Sequence, residues 1–333
     1  MKTPRSISMF LAASTLAASS VFAQVTSDVV GYTTSSLTGG SGNIYAPAFV
    51  NSASATGSLT SATSGATSTL ATDASLSENA LNETTSVTGV SKGYPRYYVE
   101  ITNDTNSSDS LDTTGLIIDI VSNTASNVVV GAHVSTLGLQ GDESFVIREH
   151  VTLGSLFAGA TGVPGYTNPI TIYNEDGAGT AVTHLADGVG GFVLNSDFVT
   201  VSTDAPIYPG TGIVINNPGA VGITATGSVK ESPTQVVVYG GSVVNILSSM
   251  QPKSSVALGD ELHSSLGAYA DVVTPYSTDG TLSAQASFLT TGTGFVLNSD
   301  FVTATNPTVD GTSQAFVVNA ASGTTVTLAG NSL

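Results

Sequence analysis

The chain is predicted to be all-β, built from tandem antiparallel β-sandwich or β-barrel units with few short helices. Three observations carry this. Short runs of β-branched and aromatic residues recur along the chain, each bounded by Gly, Asn, Asp, Ser or Pro. No long segment keeps the 3.6-residue apolar period of a capped helix. Finally, ten residues occur twice, Gly191–Thr200 and Gly294–Thr303, at an offset of 103 that persists in the flanks. At that offset Ile213–Asn216 meets Phe316–Asn319, and Ile223–Gly227 meets Val326–Gly330.

Residues 1–23 read as a secretory signal. Lys2 and Arg5 form a positive start, Ile7–Val21 is a short apolar stretch, and Ala23 supplies the small residue before the expected cut. Ser14, Ser19 and Ser20 interrupt a stretch that would need about 20 apolar residues to span a bilayer. The expected location is extracellular or on the outer cell surface, with the periplasm as the other destination of an exported chain.

An N-terminal β unit is expected over 24–140. Its stretch 51–91 stands apart as a Ser/Thr/Ala-rich excursion in which Ser58–Ser61 and Thr69–Thr72 are the strand candidates. Tyr97–Ile101, Gly115–Val121 and Asn127–Val130 are stronger strands, because stiff β-branched side chains suit a pleated surface. The last two echo Gly212–Gly227 and suggest a weak third copy of the repeat.

Two β repeats are expected at 141–240 and 241–333. The first holds the strands Phe145–Ile147, Ile170–Tyr173, Ile213–Ile215 and Gln235–Tyr239, and a short helix over Thr152–Ala158. In the duplicated segment Phe192 and Leu194 alternate with Val193 and Asn195, the pattern of a strand with one buried face. Ser196-Asp197 reads as a turn or bulge, and Phe192 and Phe198 as core anchors, each contributing roughly 1.5–3 kcal/mol when buried. The second repeat offers a helix over Val243–Met250 and a last strand at Thr324–Ala329, expected to pair within the chain.

Composition narrows the function. The chain has no Cys and no Trp, and 7 Lys and Arg face 24 Asp and Glu for a net charge of −17. Such a surface repels nucleic acid and anionic lipid, so neither is an expected partner. Nucleophilic hydrolysis has no foothold: there is no Gly-x-Ser-x-Gly elbow, no Cys, and no His-Glu-x-x-His. His133, His150, His184 and His263 read as surface-loop residues. No catalytic and no cofactor-binding residue is nominated. Calcium has candidates in the oxygen-rich loop Asp104, Asn106, Asp109 and Asp112, in Asn174–Gly177, and in the repeated Asp197 and Asp300. Tyr94, Tyr97 and Tyr98, with Arg96, form one dense aromatic cluster, read as a strand start with alternate rings packed inward rather than as a sugar platform.

Several segments in order carry a resemblance: Asp28–Thr34 after the signal, Gly40–Phe49, Tyr97–Ile101, Ser122–Thr124, Gly141–Ile147 and Thr152–Phe157. Together they resemble a family of exported, uncharacterised β-rich proteins abundant in verrucomicrobial bacteria. This sequence departs from the family where Glu149–Thr152 lacks its usual Trp. The resemblance implies export and a β-rich fold, and brings no activity, cofactor or catalytic residue. The function expected is that of a secreted or cell-surface, non-enzymatic structural or adhesive protein. It would act by self-association or on surface and matrix components. The alternatives are a carbohydrate-binding protein that takes polysaccharide and, third, a hydrolase without a recognisable motif.

Overall fold

The computed structural model describes residues 29–331 other than 41, 66, 83–92, 106–111, 132–133, 164, 174–179, 218, 242, 263–265 and 278–283. The expected signal, the Asn174–Gly177 turn, Asn106, Asp109, His133 and His263 lie outside the described residues. Nearly all regular structure is strand, as the sequence predicts.

Two strands come first, β1 (Val30–Leu37) and β2 (Asn43–Tyr45). The next six are β3 (Ala53–Thr63), β4 (Ser68–Thr72), β5 (Tyr97–Asn103), β6 (Ile117–Asn123), β7 (Asn127–Val130) and, after the helical turn α1 (Val134–Leu137), β8 (Ser144–Glu149). They close a barrel in the order β3-β4-β7-β6-β5-β8. Its interior follows the two-residue strand period, with Val128 and Val130 buried on β7 and Ile118 and Ile120 on β6. The Ser/Thr/Ala-rich excursion supplies β3 and β4, whose buried large side chains are Leu59 and Leu70. With so little apolar surface, these strands depend on closure, which leaves no open edge in the ladder.

Beyond the barrel run β9 (Val151–Thr152), α2 (Leu153–Phe157), β10 (Ile170–Tyr173), β11 (Ala181–Ala186), β12 (Phe192–Leu194), β13 (Pro206–Ile207), β14 (Ile213–Ile215) and β15 (Val221–Ser228). The predicted helix is α2. Thr152 caps it by accepting the Ser155 N–H at 3.1 Å, while Ser155 Oγ accepts the Thr152 N–H at 2.8 Å. These strands reach back across the barrel to the start of the chain: β1 pairs with β15 and β2 with β14, giving a sheet ordered β12-β11-β10-β14-β2.

The remainder repeats that plan without a barrel: β16 (Thr234–Val238), β17 (Asn245–Ser248), β18 (Val256–Ala257), α3 (Gly259–Leu262), β19 (Val272–Pro275), β20 (Phe288–Thr290), β21 (Phe295–Leu297), β22 (Ala304–Thr305), β23 (Thr308–Val309), β24 (Ala315–Asn319) and β25 (Thr324–Leu328). Here β16 pairs with β25, and β17 with β24 in a sheet ordered β17-β24-β19-β20-β21-β22. The registers correspond. Leu37 faces Val221 as Val238 faces Thr324, and Tyr45 faces Ile213 as Leu247 faces Phe316. Even the bond of a buried side chain is repeated: Asn43 Nδ2 donates to the Thr38 carbonyl at 3.0 Å, and Asn245 Nδ2 to the Tyr239 carbonyl at 2.9 Å.

Strand pairing therefore redraws the units expected at 24–140, 141–240 and 241–333. The first copy joins β1 and β2 to β9–β15, the second runs from β16 to β25, and the barrel β3–β8 is inserted into the first. Gly115–Val121 and Asn127–Val130 are barrel strands, not a third copy. Val243–Met250 contains strand β17, not a helix. All four residues of β17 are buried, so its apolar run has no alternation to separate the two possibilities.

The two copies meet through equivalent faces. Ile44, Val214 and Tyr173 of the first pack in one cluster with Ile246, Val317 and Tyr276, their counterparts in the second. Ala46 N donates to Ser313 O at 3.1 Å, and its counterpart Ser248 N donates to Gly210 O at 2.9 Å. Bridges Tyr45↔Gln314 and Thr211↔Leu247 are likewise reciprocal. This is the contact pattern of a two-fold dimer, realised within one chain.

Candidate binding surface

The duplicated segment forms a strand and then a tight tip. After β12, Phe198 N donates to Leu194 O at 2.9 Å, closing one helical turn, and Leu194 N donates to Thr200 O at 2.9 Å. Phe301 N to Leu297 O, 2.9 Å, and Leu297 N to Thr303 O, 3.1 Å, repeat this after β21. Asp197 Oδ1 takes the N–H groups of Val199 and Thr200 at 3.0 and 2.9 Å, and Thr200 Oγ1 donates to Oδ2. Asp300 binds Val302 and Thr303 in the same way. These bonds, the threonine hydroxyl foremost, hold both carboxyls below the usual carboxylate range.

The turn ends in a left-handed residue, the position where glycine is usual because a Cβ is penalised there. The sequence puts Phe198 at φ 59° and Phe301 at φ 62°. The described residues hold five non-glycine residues of positive φ, and four are aromatic: Tyr166, Phe198, Tyr269 and Phe301. They form two pairs at the 103-residue offset. All four are exposed, at 51, 54, 61 and 58% respectively, and Val199 and Val302 beside them are exposed too. The Tyr166 and Phe198 ring centroids are 6.4 Å apart and tilted by 40°. Strained backbone of this kind costs of order 1–3 kcal/mol per residue and persists where the fold or a function requires it.

This overturns one expectation. Phe192 is a core residue, but Phe198 is not, because the helical turn at 195–197 breaks the alternation and swings it outward. Alternation in the sequence does not reveal the exposed Tyr166 and Phe198 or their counterparts Tyr269 and Phe301, although Tyr166 and Tyr269 share the offset.

Among the described residues the calcium candidates do not converge. Asp197 and Asp300 cap separate tips in different copies. In the barrel loop, Asp104 Oδ2 accepts from Thr113 N and Oγ1, and Asp112 Oδ1 from Thr114 N at 2.9 Å. Among the described residues no three His, Asp or Glu are grouped to hold a metal ion.

Two of the histidines are buried rather than in surface loops, His150 at the junction of β8 and β9 and His184 on β11. His150 Nε2 donates to Asp119 Oδ1 at 3.0 Å and Tyr208 OH to Asp119 Oδ2 at 2.6 Å, tying the barrel to the first copy. Tyr94 and Tyr98 are buried as expected, and the Arg96 guanidinium lies 5.1 Å over the half-buried Tyr97 ring. Beside them Arg96, paired with Glu149 at 2.9 Å, lines a cleft of about 240 Å³ with Asn51, Ser155 and Asp204. That is smaller than the several hundred Å³ of most ligand pockets.

A buried ion cluster joins the barrel to the linker between the copies. Glu100 meets Arg148 Nε at 3.0 Å and Lys230 Nζ at 2.8 Å, and Ser232 Oγ donates to the same carboxylate. Burial alone would raise the Glu100 carboxyl, but the two cations outweigh it and hold the group below its ordinary range. Burial lowers Lys230 and, with Glu100 adding, pushes the Tyr98 phenol well up.

Fold and surface together define a two-copy β-protein with an inserted barrel and one aromatic tip per copy. Comparison with protein-family models, curated proteins and solved structures finds no match to this chain. No helix among the described residues is long and apolar enough to cross a membrane.

Proposed function

We propose that the chain is a non-enzymatic adhesive protein of the outer cell surface, working through its two aromatic tips. The observation that carries this reading is the exposure of Tyr166 and Phe198, and of their counterparts Tyr269 and Phe301, all in left-handed backbone. Exposed bulky aromatics where glycine would be cheaper are what a contact surface needs and what a fold alone does not. The signal-like residues 1–23 support export.

Placement of the tips supports bivalent contact. In each copy the tip follows a strand four places from the edge strand that meets the other copy: β12 from β2, and β21 from β17. Two identical contacts on one rigid body hold a surface more tightly than either alone, by a factor of about 10²–10⁴ when both can engage.

The test is partition between envelope and medium. Cells exporting the wild type are compared with cells exporting the double variant Phe198→Gly, Phe301→Gly, and circular dichroism verifies that the released chain is folded. The wild type is expected with the envelope and the variant mostly in the medium. Equal partition overturns the reading.

A further inference from the structure

We infer that each tip takes a sugar unit of an uncharged, repeating polysaccharide. This rests on the tips being the contact surface proposed above, and adds what they contact. The first ground is what the two copies have kept. Where the strand registers keep the 103-residue offset, over 166–173 and 211–227, the copies agree at only 7 of 25 positions, against all ten of the repeated segment. Packing accounts for part of that identity, since Phe192 and Val193 are buried with Phe295 and Val296. The turn accounts for Asp197, Thr200 and their counterparts. Neither accounts for Asn195, Ser196, Phe198 and Val199, which are all exposed in the first copy. Surface positions free of internal duties are expected to drift as the flanks did, and these did not. Both tips therefore meet the same chemistry.

The second ground is the character of that chemistry. Within one turn each tip carries an exposed phenyl ring, an amide and a hydroxyl, those of Phe198, Asn195 and Ser196 or of Phe301, Asn298 and Ser299. These side chains make no hydrogen bond to any described residue. A pyranose ring has the complementary make-up, an apolar C–H face for the aromatic ring and hydroxyls for the amide. The adjacent carboxylates are already engaged in the turns.

The third ground is charge. From Leu185 to Val229, and from Ser264 to the C-terminus, there is no Lys, Arg or His. The histidine opposite Leu194 on β11, His184, is fully buried, so these spans present no exposed cation for a sulfate, uronate or phosphate, and the net charge of −17 repels polyanions. The same charge works against a second copy of this chain as the occupant. Two identical sites on one body suit a ligand that presents the same unit many times.

Affinity gel electrophoresis of the full exported chain tests this, with hydroxyethylcellulose, xylan, galactomannan and laminarin as neutral probes and alginate as the anionic one. Retardation by at least one neutral polymer and none by alginate is expected. Phe198→Gly or Phe301→Gly alone should weaken retardation at least 10-fold, and the pair should abolish it. Failure with every neutral polymer, equal retardation of the double variant, or stronger retardation by alginate overturns the assignment. So does concentration-dependent self-association that the double variant loses, because the occupant is then a second copy. If no neutral glycan binds while the double variant is still shed from the envelope, the sugar assignment fails and the adhesive reading stands.

Discussion

Lys230 Nζ and Glu100 Oε1 lie 2.8 Å apart with neither side chain exposed, at the point where the inserted barrel meets the linker between the copies. Arg148 takes the other carboxylate oxygen, so one buried anion serves two buried cations. Removing the anion strands both. Glu100→Gln is expected to destabilise the chain by about 3–5 kcal/mol, the range for a broken buried pair. Lys230→Met leaves one anion facing one cation, and its cost is set by the Ser232 and Pro233 carbonyls that lose their donor, about 1–3 kcal/mol. Urea unfolding of the two variants checks the order; an equal or reversed order rules out this account of the cluster.

The same carboxylate predicts an acid limb. Burial would raise Glu100, but Lys230 and Arg148 hold it below its ordinary 4.5. The unfolded chain then takes up this proton more readily than the folded one, so stability rises with pH between the two values. The contribution is complete above 4.5 and is lost as pH falls through the folded value. In Glu100→Gln the acid-side slope of unfolding free energy against pH should be shallower by up to one proton. An unchanged slope would mean that Glu100 is not held down by its neighbours.

Phe198 and Phe301 predict stability and binding moving in opposite directions. Glycine relieves the left-handed backbone at φ 59° and 62° and gives up little packing, since both rings are more than half exposed. Each Phe→Gly variant should therefore unfold at the wild-type temperature or above it, with a change in stability within about 1 kcal/mol. Thermal unfolding decides. A loss above about 2 kcal/mol would make the rings structural and remove the reason to call them a contact surface.

The strands were legible in the sequence because their chemistry is local. Tyr97–Ile101, Asn127–Val130 and Ile170–Tyr173 declare themselves by β-branched residues between turn formers. Connectivity was not legible, because β1 and β2 find partners some 170–200 residues away and no local rule reports such a distance. One signal did exist: Gly39-Gly40-Ser41 before Asn43-Ile44 matches Gly240-Gly241-Ser242 before Asn245-Ile246, with one residue inserted. The tips were misread for a physical reason. A single helical turn between two strands changes which way the next side chain points, and alternation counted through Asn195–Asp197 puts Phe198 on the wrong side.

Gly212 marks where the seam between the copies departs from its own symmetry. Its counterpart is Ala315, fully buried, yet a Cβ at Gly212 would lie 2.7 Å from Ile246 Cγ2 and 3.0 Å from the Cβ of Ala315. One side of the seam therefore holds a methyl, and the other leaves room for it. Gly212→Ala overfills this space and is expected to cost about 1–3 kcal/mol. Ile246→Ala removes the nearest obstruction and opens a cavity, at about 2–5 kcal/mol alone. In the double variant the new methyl enters the space that Ile246 vacated, so the combined loss should be smaller than the two single losses together by about 1 kcal/mol or more. A double-mutant cycle measured by urea unfolding reads that coupling directly. Simple additivity would show that Gly212 and Ile246 do not touch, and that the two copies meet by some other arrangement than this reciprocal one.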